Sequence, residues 1–183
     1  MTRGADRDGC EADLSTIAID RTWDGGSAAA GERVLLALIW AADRLTVRVD
    51  APFHDDPPPA APPGRCDRLW EHEVVELFLV GRGDRYLEVE FGPHGHYLAL
   101  GLHGVRRVVD AAISIEFRAT VAAGRWAGVG AILRRDLPAD LERWNAFAMH
   151  GVGPARRYLA AHPLPGPRPD FHRIGAFPRL DRS

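Results

Sequence analysis

Two neighbouring runs, EVVELFLV (73–80) and RYLEVEF (85–91), constrain the fold more than any other feature of the chain. Val75, Leu77 and Leu79 recur at every second position of the first run, and Leu87, Val89 and Phe91 do so in the second. Side chains alternate along a strand, so a one-residue slip between the two would turn one of these apolar sets into water. Both sets face a core together only if the connection has odd length, most simply a three-residue loop containing Gly83. That register sets Glu76 opposite Glu90. The other face then carries Val74, Glu76, Phe78 and Val80 beside Tyr86, Glu88 and Glu90.

The same parity argument extends to two further runs. In His96–Leu102 it points Leu98, Leu100 and Leu102 inward and adds Tyr97, Ala99 and Gly101 to the acidic side. In Trp126–Leu133 it takes Ala127, Val129, Ala131 and Leu133 as the apolar set, leaving Trp126, Gly128 and Gly130 with the acids. One sheet face is thus expected to gather Glu76, Glu88 and Glu90, the aromatics Tyr86, Tyr97 and Trp126, and a floor of small residues. Directly opposed like charges destabilise a sheet by about 0.2–1 kcal/mol, so something should offset them: an arginine such as Arg118, a cation, or ligand hydroxyls. A solvated face of screened acids is the plainer alternative.

The remaining β-rich runs are Ile17–Ile19, Val34–Trp40, Leu45–Val49, Ile113–Val121, Trp144–His150 and a last one near Phe177–Leu180. Arg134–Leu141 reads as a short turn or helical piece. Prolines in residues 51–67 exclude helix and central strand, which makes that stretch a long surface loop. Short strands at regular spacing, with Gly-rich turns between them, predict an all-β fold: an antiparallel two-sheet β-sandwich. A chain of 183 residues fits one such domain over 14–183, preceded by a flexible polar segment at 1–13.

Charge narrows the partners. The 23 basic residues, all Arg, nearly balance 25 acidic ones. No basic surplus tracks a phosphate backbone or holds an anionic bilayer, so neither nucleic acid nor membrane is expected as a partner. With no Lys, Schiff-base and phosphate-loop lysine chemistry is excluded. Cys10 and Cys66 form neither a disulfide framework nor a metal pair. The start of the chain lacks the apolar core of a signal peptide, so a cytoplasmic location is the expectation.

Reactive motifs are few. His94-Gly95-His96 lacks the acid that a cupin metal site requires three or four residues later. His54, His94, His96 and His172 fall in or beside loops without a recognisable ligand set. No cofactor is expected, and a structural calcium ion bridging Asp55 and Asp56 is the one ion the pattern suggests. Glu76, Glu88 and Glu90 could reach the separations used in glycoside hydrolysis, which would further need one carboxyl with a raised pKa.

The stretches LWEHEVVELFLV (69–80) and YLEVEFGPHGHYLAL (86–100) resemble the tryptophan-acid-strand signature of family 9 carbohydrate-binding modules and the wider DOMON-like sandwiches. Together with DAPFHDDPPP (50–59), WNAFAMHG (144–151) and PDFH (169–172), they are more similar still to a small uncharacterised family of bacteria and animals. The resemblance implies a jelly-roll-like sandwich and a sugar held between aromatic planes and polar side chains. Trp70, Glu73 and Glu76 match the strand signature, and Asn145 matches a polar residue on a late strand. Joined to the parity argument and the loop histidines, this gives a ligand set of those four residues with Tyr86, Glu88, Glu90, Tyr97 and Trp126, and with His94 and His96. The expected function is non-catalytic binding of a polar, carbohydrate-like small molecule. An enzyme acting on sugars or polyols in the same groove is the alternative, and a protein-interaction module a further one.

Overall fold

The computed structural model describes residues 13–180, so Cys10 and the expected flexible segment at 1–13 fall almost wholly outside the described residues. The strands are β1 (Asp13–Ile19), β2 (Arg21–Thr22), β3 (Val34–Trp40), β4 (Arg44–Pro52), β5 (Gly64–Arg65), β6 (Val74–Val80), β7 (Arg85–Phe91), β8 (His96–His103), β9 (Val108–Asp110), β10 (Glu116–Ala122), β11 (Arg125–Leu133), β12 (Arg143–His150) and β13 (Arg157–Ala160). They form two sheets, one ordered β1-β3-β4-β11-β10 and a larger one ordered β2-β13-β12-β6-β7-β8-β5, with β9 on β8. Pairing is antiparallel except for the short β5–β8 contact. The fold is an antiparallel two-sheet β-sandwich. Helix is confined, among the described residues, to single 3₁₀ turns, one of them at Arg134–Asp136 where a short helical piece was expected.

The β6–β7 hairpin follows the parity argument. Gly81 N–H donates to the Arg85 carbonyl at 2.8 Å, leaving Arg82-Gly83-Asp84 as a three-residue loop. Gly83 takes the left-handed conformation (φ 68°) that the loop needs and that a side chain would oppose. Glu76 pairs with Glu90 and Leu77 with Val89. Leu77, Leu79, Leu87, Val89 and Phe91 are buried between the sheets, against Leu36, Leu38, Val47 and Val49 of the smaller sheet.

Strands β8 and β11 correct the sequence reading. Leu98, Leu100 and Leu102 pair with Glu90, Glu88 and Tyr86, so the three leucines share the acidic face, while Tyr97 and Ala99 join the core between the sheets. The reason is a second apolar cluster. Leu69 and the C-terminal residues Leu164, Phe171, Ile174 and Phe177 cover the outer face of the larger sheet, packing on Phe78, Leu98, Leu102 and Phe147. Every residue of β6 is therefore buried. A sheet buried on both faces loses the alternation that separates inside from outside.

In β11 it is Trp126, Gly128 and Ile132 that turn inward, together with Gly130, while Ala127 faces out. The glycines make room for aromatic rings: a Cβ on Gly130 would stand 2.7 Å from Phe91 Cε1, and one on Gly128 2.9 Å from Phe117 Cε2. Gly130→Ala is expected to destabilise the domain by about 1–3 kcal/mol through overpacking, read as a lower denaturant midpoint at unchanged slope. Arg118 is exposed on β10 in the smaller sheet, so it does not offset the acids.

Candidate functional site

Glu76 comes from β6, and Glu88 and Glu90 from β7, all pointing to the outer face of the larger sheet. One oxygen of each lies within 4.8 Å of the others. Cross-strand pairing with period two forces this closeness: Glu76 faces Glu90 directly, and Glu88 sits one pleat further along the same face. All three are buried, Glu90 completely, and neither Glu90 oxygen has a hydrogen-bond partner. The nearby Trp70 N–H draws the Glu90 pKa slightly down without closing a hydrogen bond. Burial raises the Glu88 pKa to about 7, against a partial opposing pull from Arg106. Burial, reinforced by neighbouring carboxylates, holds Glu76 and Glu90 well above the usual carboxylate range.

Glu76 and Glu88 open into a pocket of about 430 Å³ between this sheet face and the C-terminal segment. Leu100, Leu102, Met149 and Tyr158 supply an apolar floor, Trp70 and Phe171 stand at its sides, and Arg106 and His172 bring polar groups. Tyr86 ties the wall together. Its hydroxyl accepts from the Arg106 N–H at 3.0 Å and lies 2.9 Å from His172 Nδ1. Burial, with Arg106 nearby, lowers the His172 pKa to about 4, so the ring is neutral. If the hydroxyl donates to Nδ1, the ring proton sits on Nε2, which faces Glu88 Oε2 at 3.9 Å. Asp170 pairs with the Arg106 guanidinium at 2.9 Å and accepts from the His172 N–H, pinning the segment over the face. Arg156 donates to the carbonyls of Trp70 and His72, each at 2.7 Å, and so fixes the turn that presents Trp70.

The other candidates lie elsewhere. Glu73 accepts from the His54 N–H at 3.1 Å on both oxygens and belongs to a separate polar knot at the root of the proline-rich loop. Burial raises its pKa to about 7 despite the pull of the His54 and Asp56 backbone N–H groups and the Trp126 indole, with the Asp56 charge adding to the rise. In the same knot His54 stacks on His150 at 3.5 Å, and His150 meets Glu32 at 3.0 Å. Arg157 is the main reason that the Glu32 pKa falls to about 2.

His96 donates to the Ala61 carbonyl at 2.9 Å, and His94 packs its ring edge against Phe53; both line a small space under the loop, away from Glu76. Tyr97 packs in the core between the sheets with its hydroxyl reaching exposed Ser114, and Trp126 is buried in that core too, so neither shares a face with the acids. Asn145 lies on the acidic face two residues from Phe147, but its carboxamide is engaged by Ala146 and His162. Asp56 accepts from the Gly151 N–H, and the only group of three or more close acid, histidine or cysteine ligands among the described residues is Glu76, Glu88 and Glu90. Thus Trp70, Glu76 and Glu88 line the pocket, Tyr86 and Glu90 are buried against lining residues, and the rest do neither.

Sequence reasoning missed Arg106, Met149, Tyr158 and Phe171. Two quoted blocks carried a visible signal: PDFH (169–172), which supplies Pro169, Phe171 and His172 to the wall, and WNAFAMHG (144–151), which supplies Met149.

Comparison with known proteins adds family and fold. No family model matches the chain. A zebrafish protein (Danio rerio) named as a UPF0462 protein, C4orf33 homolog, is 39% identical over 144 residues, covering 74% of this chain and 73% of its own. The human UPF0462 protein C4orf33 is 35% identical over 168 residues, covering 87% of this chain and 84% of its own. These relatives are animal proteins and lend no support to a bacterial membership. A crystal structure from Bacteroides uniformis ATCC 8492, provisionally assigned as a carbohydrate-binding protein, superposes with a TM-score of 0.70 at 16% identity over 91% of this chain and 85% of its own. At that identity the likeness bears on the sandwich fold alone. No helix of the described residues is long and apolar enough to cross a membrane.

Proposed function

The chain belongs to the UPF0462 family, and we propose for it a non-catalytic role: it binds a polar, hydroxyl-rich small molecule, of carbohydrate-like chemistry, in the pocket over Glu76 and Glu88. The observation that carries the reading is the pocket itself. Its volume, about 430 Å³, falls in the range of small-molecule sites, and its walls combine an apolar floor with a few convergent polar groups. Glu76, Glu88, Arg106 and neutral His172 offer both donors and acceptors to ligand hydroxyls, while Trp70, Tyr158 and Phe171 offer aromatic surface to a sugar ring. The carbohydrate-binding description of the B. uniformis neighbour supports the same ligand class.

Thermal shift against a panel of monosaccharides, disaccharides and polyols tests this. A true ligand at about 100 times its Kd should add about 2.7 kcal/mol of stability. Glu88→Gln should weaken that binding at least tenfold, because the pocket loses an acceptor. Tyr97→Phe should leave it unchanged, since Tyr97 lies in the core on the other side of the sheet. Time-dependent conversion of a panel sugar, abolished by Glu76→Gln, would instead establish the enzyme that the paired buried carboxyls allow.

A further inference from the structure

From the geometry we infer that Glu76, Glu88 and Glu90 form a binding site for a hard divalent cation at the base of the pocket, with its open coordination positions facing the cavity. Three carboxylates from two adjacent strands converge with one oxygen each inside 4.8 Å, and the donor set is oxygen only. Such a set suits calcium, magnesium or manganese, not the softer metals that take thiolate or imidazole. The separation matches donors spread around a calcium-like ion, whose oxygens stand about 2.3–2.6 Å from the metal.

The second observation is Glu90. It is 0% exposed, aims into this cluster, and leaves both carboxylate oxygens without a hydrogen-bond partner. Buried polar atoms are rarely left so, and an ion between the carboxylates satisfies Glu90 while removing the repulsion of its directly opposed neighbour Glu76. No arginine does this: Arg106 is paired with Asp170, and Arg156 is spent on backbone carbonyls of the Trp70 turn and on Gly151. Three protein donors leave several positions of a six- to eight-coordinate ion open. Glu76 and Glu88 line the cavity, so those positions are accessible to water or to a pair of ligand hydroxyls.

The site is a property of the chain alone and does not depend on the sugar reading. The test is therefore titration of the metal-stripped protein with manganese(II), with no sugar present, following loss of the free-ion electron paramagnetic resonance signal. One manganese per chain is expected, displaced by calcium or magnesium but not by methylammonium. Glu90→Gln and Glu88→Gln should each weaken binding at least tenfold, whereas Glu116→Gln, on the opposite sheet, should not change it. Circular dichroism and melting in chelator identify any variant that fails to fold, and the other variant then decides. No signal loss at millimolar manganese overturns the proposal. So does binding that both pocket variants leave intact, or displacement by methylammonium, which would mark an amine site. Sugar binding that persists in chelator while manganese binding is absent would sink the cation site and leave the proposed function standing.

Discussion

Leu77→Ala is expected to lower stability by about 2–5 kcal/mol, the combined effect of lost apolar transfer and an unfilled cavity. Leu77 is fully buried between the sheets, flanked by its cross-strand partners Val89 and Ala146. For a domain of this size the change should appear as a fall of about 4–20 °C in Tm. Glu90→Gln, one position from Val89 but on the other face, should differ sharply. It keeps the volume and replaces a carboxyl, whose ionised form burial and Glu76 oppose, by a neutral amide. Measured at neutral pH in chelator, it should leave Tm unchanged or higher. If Glu90→Gln destabilises as much as Leu77→Ala, the carboxyls are structural members of the fold, and a site built from them is misplaced.

This contrast between two adjacent faces was legible in the sequence for one hairpin and lost beyond it. In 74–91 both strands carry clean apolar sets of equal parity, and the loop between them has a glycine where a left-handed residue is needed; the register Glu76–Glu90 follows. In β8 the leucines outnumber the apolar residues of the opposite face, so counting sent them to the core. Leu98 and Leu102 are buried as that count requires, but against Leu69, Phe147 and the C-terminal segment, not between the sheets. Period two reports that a residue is buried, not which of two cores receives it. The presence of Val74, Phe78 and Val80 on the acidic side already hinted that this face was covered. In β11 the misreading has another cause: Gly128 and Gly130 look like a bare surface floor, but they are the recesses into which Phe117 and Phe91 pack. The acids of the site were thus visible from local pattern, while its other wall, Arg106 with 169–172, depends on pairings between residues 64 positions apart such as Arg106–Asp170. No local rule carries those.

Raising the pH from about 6.5 to 8.5 in chelator should steadily lower stability, and this is the strongest electrostatic signature the buried acids can give. A carboxyl whose folded pKa exceeds its unfolded value of 4.5 binds its proton more tightly in the native state. Its contribution is complete at low pH and is lost as the pH climbs through the folded value. Glu88 and Glu73, both near 7, act in this way, and Glu76 and Glu90 extend the loss to higher pH. The histidines pull in the opposite sense but in another window. Burial lowers the pKa of His54, His150 and His162, and takes His172 to about 4, so their contribution is complete above 6.5 and is lost only as pH falls below it. Glu32, held near 2 by Arg157, matters only in stronger acid. Above 6.5 the glutamates therefore act without opposition from these groups. Each carboxyl still protonated in the native state gives a slope of about 1.4 kcal/mol per pH unit. Urea denaturation at several pH values measures that slope directly. Glu76→Gln should flatten it, because one uptake site is gone and the charge on its neighbours is no longer opposed. A stability that is level or rises between pH 6.5 and 8.5 would mean that these carboxyls ionise in the native state as easily as in the unfolded chain, and would overturn the raised values assigned to them.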